Sequence, residues 1–162
     1  MGEALIRRIE PQDRQALLRV FCAAWQEEFS QHLAQPLSVA EVEALASEAL
    51  QGSMGWLLEQ DSQPLGYLIY QESLESGGIE VLHWYVDPRR QGEGIGSRLF
   101  EVLIGSLAGQ PAHWWAWEGN QRANRAYQNM GASITDRRRM KTIGGTRFYY
   151  QRWRLNSPLV ID

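Results

Sequence analysis

The stretch Val81–Phe100, VLHWYVDPRRQGEGIGSRLF, constrains the fold of this chain more than any other. Val81 to Val86 is β-branched and aromatic, the composition of a packed strand. Asp87-Pro88 stops it, because proline has no amide hydrogen for a ladder and restricts the residue before it. Gly92, Gly94 and Gly96 then alternate, and Ile95, Leu99, Val102 and Leu103 recur at helical spacing. A glycine turn feeding a helix start exposes unpaired N–H groups beside the positive end of the helix dipole, which makes a cradle for phosphate. Two familiar phosphate loops do not fit. A Walker loop needs Gly-Lys-Ser/Thr, whereas Gly96 is followed by Ser97-Arg98. A dinucleotide fingerprint needs G-x-G-x-x-G, and Gly92-Glu93-Gly94-Ile95-Gly96-Ser97 ends in serine.

Composition narrows the function classes. A length of 162 residues predicts one domain, residues 1–162, with a real hydrophobic core. The formal net charge of −3 argues against a general nucleic-acid binder. No apolar run reaches membrane-spanning length, and Met1-Gly2-Glu3-Ala4 lacks the start of a signal peptide, so the expectation is no membrane and a cytoplasmic location. Cys22 is the only cysteine, which suits a reducing compartment and reads as a small packing residue. His32, His83 and His113 are isolated in sequence, so no metal is expected.

The remaining chain reads as alternating elements. Ile6–Glu10 suits a first strand, and Pro11-Gln12-Asp13 opens a helix to about Phe29 with Leu17, Val20, Phe21, Ala24 and Phe29 on one face. Ser38 and Glu41 form a capping box for a helix over Val39–Leu50, which the cluster Gly52-Ser53-Met54-Gly55 ends. Trp56–Glu59 and Leu65–Gln71 read as strands, and Ser76-Gly77-Gly78 turns into Ile79–Val86. The glycine-loop helix runs to about Ala108, followed by the aromatic strand His113–Trp117. A helix from Asn120 to Met130 has Gly131 as its C-terminal cap, and strands Ser133–Lys141 and Thr146–Leu155 join across Gly144-Gly145.

Two motifs in this order carry a resemblance. Gln91-Gly92-Glu93-Gly94-Ile95-Gly96 fits Gln/Arg-x-x-Gly-x-Gly/Ala behind Val86-Asp87-Pro88, and Asn120-x-x-Ala123-Asn124-x-x-Tyr127-x-x-x-Gly131 fits N-x-x-A-x-x-x-Y-x-x-x-G. Together they resemble the coenzyme A loop and the following helix of the GNAT superfamily of N-acetyltransferases. The resemblance implies an α/β fold with a single mixed, mostly antiparallel sheet of six to seven strands and about four helices. It also implies acetyl-CoA as co-substrate and a primary amine of a small molecule or peptide as acceptor. A homodimer is compatible with family habit. The alternative is an acyl-CoA-binding sensor or interaction module without turnover.

On this resemblance, Gln91, Gly92, Glu93, Gly94, Ile95, Gly96 and Ser97 would surround the pyrophosphate, and Tyr85 and Val86 would pair with the pantetheine arm through their backbone. Arg89, Arg90 and Arg98 could balance phosphate charge. Asn120 would touch coenzyme or cap its helix, Asn124 would touch coenzyme, and Tyr127 would touch coenzyme and give a proton to the departing sulfur. An amine with a reference pKa near ~10.4 must lose a proton to attack, and a carboxylate, directly or through water, can help remove it. Glu80, six residues before Val86 and so expected on the same face, is the sequence candidate, with His83 on the opposite face. Trp25, Glu28, Phe29 and His32, with Tyr149 and Tyr150 as weaker candidates, would line an acceptor site suited to a cation. Two departures stand out: acidic Glu93 in the loop, and Ala132 where an aromatic residue is common.

Overall fold

The computed structural model describes residues 2–51, 54–73 and 77–156. Its strands are β1 (Leu5–Arg8), β2 (Met54–Gln60), β3 (Gln63–Glu72), β4 (Ile79–Val86), β5 (Ala112–Trp117), β6 (Ser133–Ile143) and β7 (Thr146–Leu155). The helices are α1 (Arg14–Phe29), α2 (Val39–Leu50), α3 (Ile95–Ser106) and α4 (Gln121–Asn129). The strands form one seven-stranded sheet in the order β1-β2-β3-β4-β5-β7-β6. Every neighbouring pair is antiparallel except β4 and β5. The expected breaker Gly52-Ser53 and the turn residue Ser76 lie outside the described residues.

Local chemistry accounts for the boundaries. Ser38 Oγ accepts from the Glu41 amide at 3.2 Å while Glu41 Oε1 accepts from the Ser38 amide at 3.0 Å, so the capping box fixes the start of α2. Gly144 and Gly145 have φ of 54° and 75°, the double positive φ that a two-residue hairpin turn requires. Helix α1 buries Leu17, Val20, Phe21, Ala24, Trp25 and Phe29. With α2 it covers one face of the sheet, against Leu57, Tyr67, Ile69 and Phe148. Helix α3 covers the other face through Ile95, Leu99, Phe100 and Leu103, against Leu68, Val81, Trp114 and Trp153.

Two irregularities in β4 position the site. The first is a bulge. The register pairs Ile69 with His83 and Tyr70 with Val81, which leaves Leu82 as an extra residue. One inserted residue exchanges the faces on either side of it. Glu80 and Val86 therefore point to opposite sides, and His83 shares the face of Glu80, the reverse of what strict alternation predicts. His83 stacks on Phe21 at 5.1 Å between ring centres and its Nδ1 meets the Tyr67 hydroxyl at 3.0 Å. Burial pushes its pKa down to about 4, so it is a neutral core residue.

The second irregularity is a divergence. β4 and β5 are joined only at Ile79–Ala112 and Glu80–His113. Beyond those two pairs the parallel strands separate and open a wedge in the middle of the sheet.

Candidate active site

The wedge is the deepest part of a cleft of about 660 Å³, within the size range of small-molecule sites. β4 contributes Leu82, Trp84, Tyr85 and Val86, and β5 contributes Trp114 to Trp117. Asp87 N donates to Leu65 O at 2.7 Å, so alternation along the antiparallel ladder turns the Tyr85 backbone toward β3 and the Trp84 and Val86 backbone groups toward the gap. Val86 therefore presents its backbone to the gap. Trp84, not Tyr85, is its partner in that role, while Tyr85 contributes its ring to the cleft wall.

At the mouth of the wedge, Pro88–Arg90 forms a short 3₁₀ turn capped by Asp87, whose Oδ1 accepts from the Arg89 amide at 3.0 Å. Gly92 and Gly94 follow with φ of 84° and 79°, and Gly94 is the N-cap of α3. No side chain is compatible with that left-handed backbone at low cost, which explains the glycines. The Arg98 amide returns to Gly94 O at 3.0 Å, so Ile95, Gly96 and Ser97 are the first-turn residues whose amides have no intrahelical acceptor. Trp84 Nε1 donates to Gly96 O at 3.1 Å and ties the loop to β4. Gln91, Gly92, Gly94, Ile95, Gly96 and Ser97 all line the cleft.

Glu93 does not line it. The carboxylate is held by Arg90 at 2.7 and 3.0 Å, which lowers its pKa and cancels most of the negative charge expected to oppose phosphate. Arg90 lines the cleft, Arg89 is tied back to Asp87 at 2.9 Å, and Arg98 lies outside it.

The opposite wall is α4. Asn120 caps this helix, its Oδ1 accepting from the Ala123 amide at 3.1 Å, and its Nδ2 donates to Glu28 Oε1 at 2.8 Å. Asn124 does not line the cleft; its Nδ2 bonds Trp117 O at 3.3 Å and Glu118 O at 3.1 Å, locking α4 to the end of β5. Tyr127 does line it. The ring is wedged among Trp84, Trp114 and Trp153 at 5.7, 5.3 and 5.3 Å between centres. These indoles supply the aromatic packing that Ala132 lacks. Burial raises the Tyr127 pKa, keeping the phenol protonated, and among the described residues its hydroxyl has no hydrogen-bond partner. Arg122 and Gln121, on the first turn of α4, also line the cleft. Sequence reading missed both; their place one and two residues after the N-cap was the available signal.

Across the sheet from α4 lies another wall of the cleft. Glu28, Phe29, His32, Trp117 and Tyr150 line the cleft there, with Tyr85. Trp25 does not: it is 4 % exposed and packs on Phe29 within the core. Tyr149 points the other way, under the Arg138 guanidinium at 4.3 Å. Burial raises the pKa of Glu28, with Asn120 partly offsetting it. Glu80 is outside the cleft. Its carboxylate takes both Arg152 terminal nitrogens at 2.9 and 2.8 Å in a largely buried ion pair.

The match to a family model described as the acetyltransferase (GNAT) family runs over residues 14–132. The chain belongs to the GNAT acetyltransferase family. The solved GNAT structures it resembles include the ribosomal-protein-S18-alanine N-acetyltransferase from Escherichia coli, at 20% identity and TM-score 0.73, covering 99% of this chain and 97% of that one. yncA from Salmonella typhimurium, solved with its cofactor acetyl-CoA, aligns at 17% identity and TM-score 0.68 over 96% and 95% of the two chains. Arabidopsis thaliana NAA60, solved with a bisubstrate analogue, aligns at 16% identity and TM-score 0.67 over 95% and 98%. No curated protein matches the sequence. The seven-stranded sheet, its single parallel junction and the glycine loop opening α3 are thus the GNAT fold in this chain.

Proposed function

We propose that this GNAT protein transfers the acetyl group of acetyl-CoA to a primary amine. The observation that carries the reading is the wedge itself: unpaired Trp84 and Val86 backbone groups adjoin the free first-turn amides of Ile95, Gly96 and Ser97. An extended pantetheine arm fits the first set and a pyrophosphate the second. Arg122 is the lining cation left to meet phosphate, Arg90 being paired with Glu93. Bound acetyl-CoA would supply the thioester.

The chain's own residues cover the remaining chemistry. The Val86 amide can donate to a carbonyl oxygen in the gap and stabilise charge developing on it. The Tyr127 hydroxyl, protonated and unpartnered in the cleft, is suited to give its proton to sulfur. Glu80 remains a sequence expectation, but its carboxylate is saturated by Arg152. Glu28 is the better base. It lines the cleft, only one of its oxygens has a partner, and burial favours its taking a proton.

Glu28 gives a pH prediction. Base action needs the ionised carboxylate, so kcat/KM rises as pH passes upward through the Glu28 pKa. Because burial raises that pKa, the rise should lie above the ordinary carboxylate value of about 4.3. Glu28→Gln is expected to lower kcat/KM about 10²-fold and remove that limb. A pH–rate profile from pH 4 to 9 reads both effects, and an unchanged limb would remove Glu28 from the role. The function itself is tested by calorimetric titration with acetyl-CoA, then mass detection of acetylated product from a panel of primary amines. Absent coenzyme binding would overturn the reading, and binding with no acetylated amine would favour a sensor.

A further inference from the structure

A second depression adjoins the cleft and shares Trp115 as a wall. It lies on the acceptor face, where β6 carries Arg137-Arg138-Arg139-Met140-Lys141 beside β7. The chain as a whole has net charge −3, so this run is a local inversion of sign. Two of the cations around the depression are committed. Arg152 is held by Glu80, and Arg138 by Glu118 at 2.5 and 2.9 Å. Arg139 and Lys141 differ: among the described residues neither has a carboxylate within ion-pair distance, and Glu80 nearby already serves Arg152. The Arg139 guanidinium lies over the Trp115 ring at 4.3 Å and 6.0 Å from the centre of Tyr150. The Lys141 ammonium is 5.8 Å from the same Tyr150 ring. Stacking on an indole directs the guanidinium edge sideways, which leaves its fork of N–H donors to meet an oxyanion.

The register sets the distance to the chemistry. Tyr150 pairs with Trp117 and Arg152 with Trp115, so the level of Trp117 and Tyr150 lies two strand residues from that of Trp115, and Arg139, opposite Tyr150, reaches back over Trp115. Two residues of strand span about 7 Å.

We infer that the acceptor is an amine carrying an oxyanion, a carboxylate or a phosphate, about 7 Å from the nitrogen, with Arg139 receiving the anion across Trp115. This rests on the acetyl-transfer reading and names the substrate class of the same site. The aromatic walls and Glu28 then hold the ammonium end, and Arg139 selects against amines without the second charge. A simple polyamine would meet repulsion at that end.

The test uses three probes of one length: 6-aminohexanoate, 4-aminobutyl phosphate and the neutral 6-aminohexanamide. Each is titrated into protein saturated with coenzyme A, following tryptophan fluorescence, with Trp115 in the proposed subsite. Wild type should bind at least one anionic probe about 10-fold or more tightly than the amide. The better anion identifies the group. Arg139→Gln should bring the ratio to about one while coenzyme A affinity stays unchanged, and Arg139→Lys should recover part of it. Equal binding of all three probes by wild type, no saturable binding of either anion, or a preference that survives Arg139→Gln would each overturn the inference. Loss of coenzyme A binding by wild type would instead strike the functional reading.

Discussion

Tyr127→Phe is expected to lower the turnover number for acetyl transfer by about 10²–10⁴-fold, the usual contribution of a positioned proton donor. Acetyl-CoA affinity should stay within about twofold of wild type, a difference of under ~0.5 kcal/mol. The separation is clean because of how the ring is held. Trp84, Trp114 and Trp153 pack around it at 5.3–5.7 Å between centres, and phenylalanine preserves all three contacts. The hydroxyl has no partner among the described residues, so its removal strands no buried donor or acceptor. Thermal unfolding should therefore barely move. Single-turnover and steady-state rates on any amine found in the panel check this; a loss below about tenfold would remove Tyr127 as the donor.

Gly94→Trp should weaken acetyl-CoA binding by about 100-fold or more, corresponding to about 2.7 kcal/mol. Gly94 has φ of 79°, so any side chain costs about 1–2 kcal/mol of backbone strain at the start of α3. A Cβ there meets no atom within 4 Å, so an indole has room to grow and can cover the cradle without displacing the core. Gly94→Ala separates the two contributions, carrying the strain but leaving the cradle open, and should lose less affinity. Calorimetry on the three proteins decides. Equal affinity in wild type and Gly94→Trp would mean that the glycine loop does not hold coenzyme.

The elements were legible because each has a local physical cause. The Ser38–Glu41 box, the glycine pair at 144 and 145, Gly131 at φ 92° after α4, and the periodic face of α1 all act within a few residues. In the loop from Gln91 to Ser97 the local geometry follows from the glycines themselves, with Gly92 and Gly94 at positive φ. Sequence reading failed where side-chain direction depends on tertiary register. Glu80 looked like a base by counting twos along β4, but the bulge at Leu82 changes the count and Arg152, 72 residues away, claims the carboxylate. Trp25 and Phe29 are both apolar and near the end of α1, yet only Phe29 reaches the cleft. Nothing local marked Glu28 as the base proposed here, since its partner Asn120 is 92 residues distant.

The two-pair junction of β4 and β5 also makes the sheet a laminate with a seam. β1 to β4 form one continuous ladder and β5, β7 and β6 another, stitched at one end. A ligand lying in the seam would act as an eighth, non-peptide strand joining two halves that the chain itself leaves mostly unjoined. The amides of Trp84 and Val86, in mid-sheet yet unpaired on that edge, should then exchange with solvent quickly in the free protein and slowly once the seam is filled, so that hydrogen exchange reads the completion of the sheet.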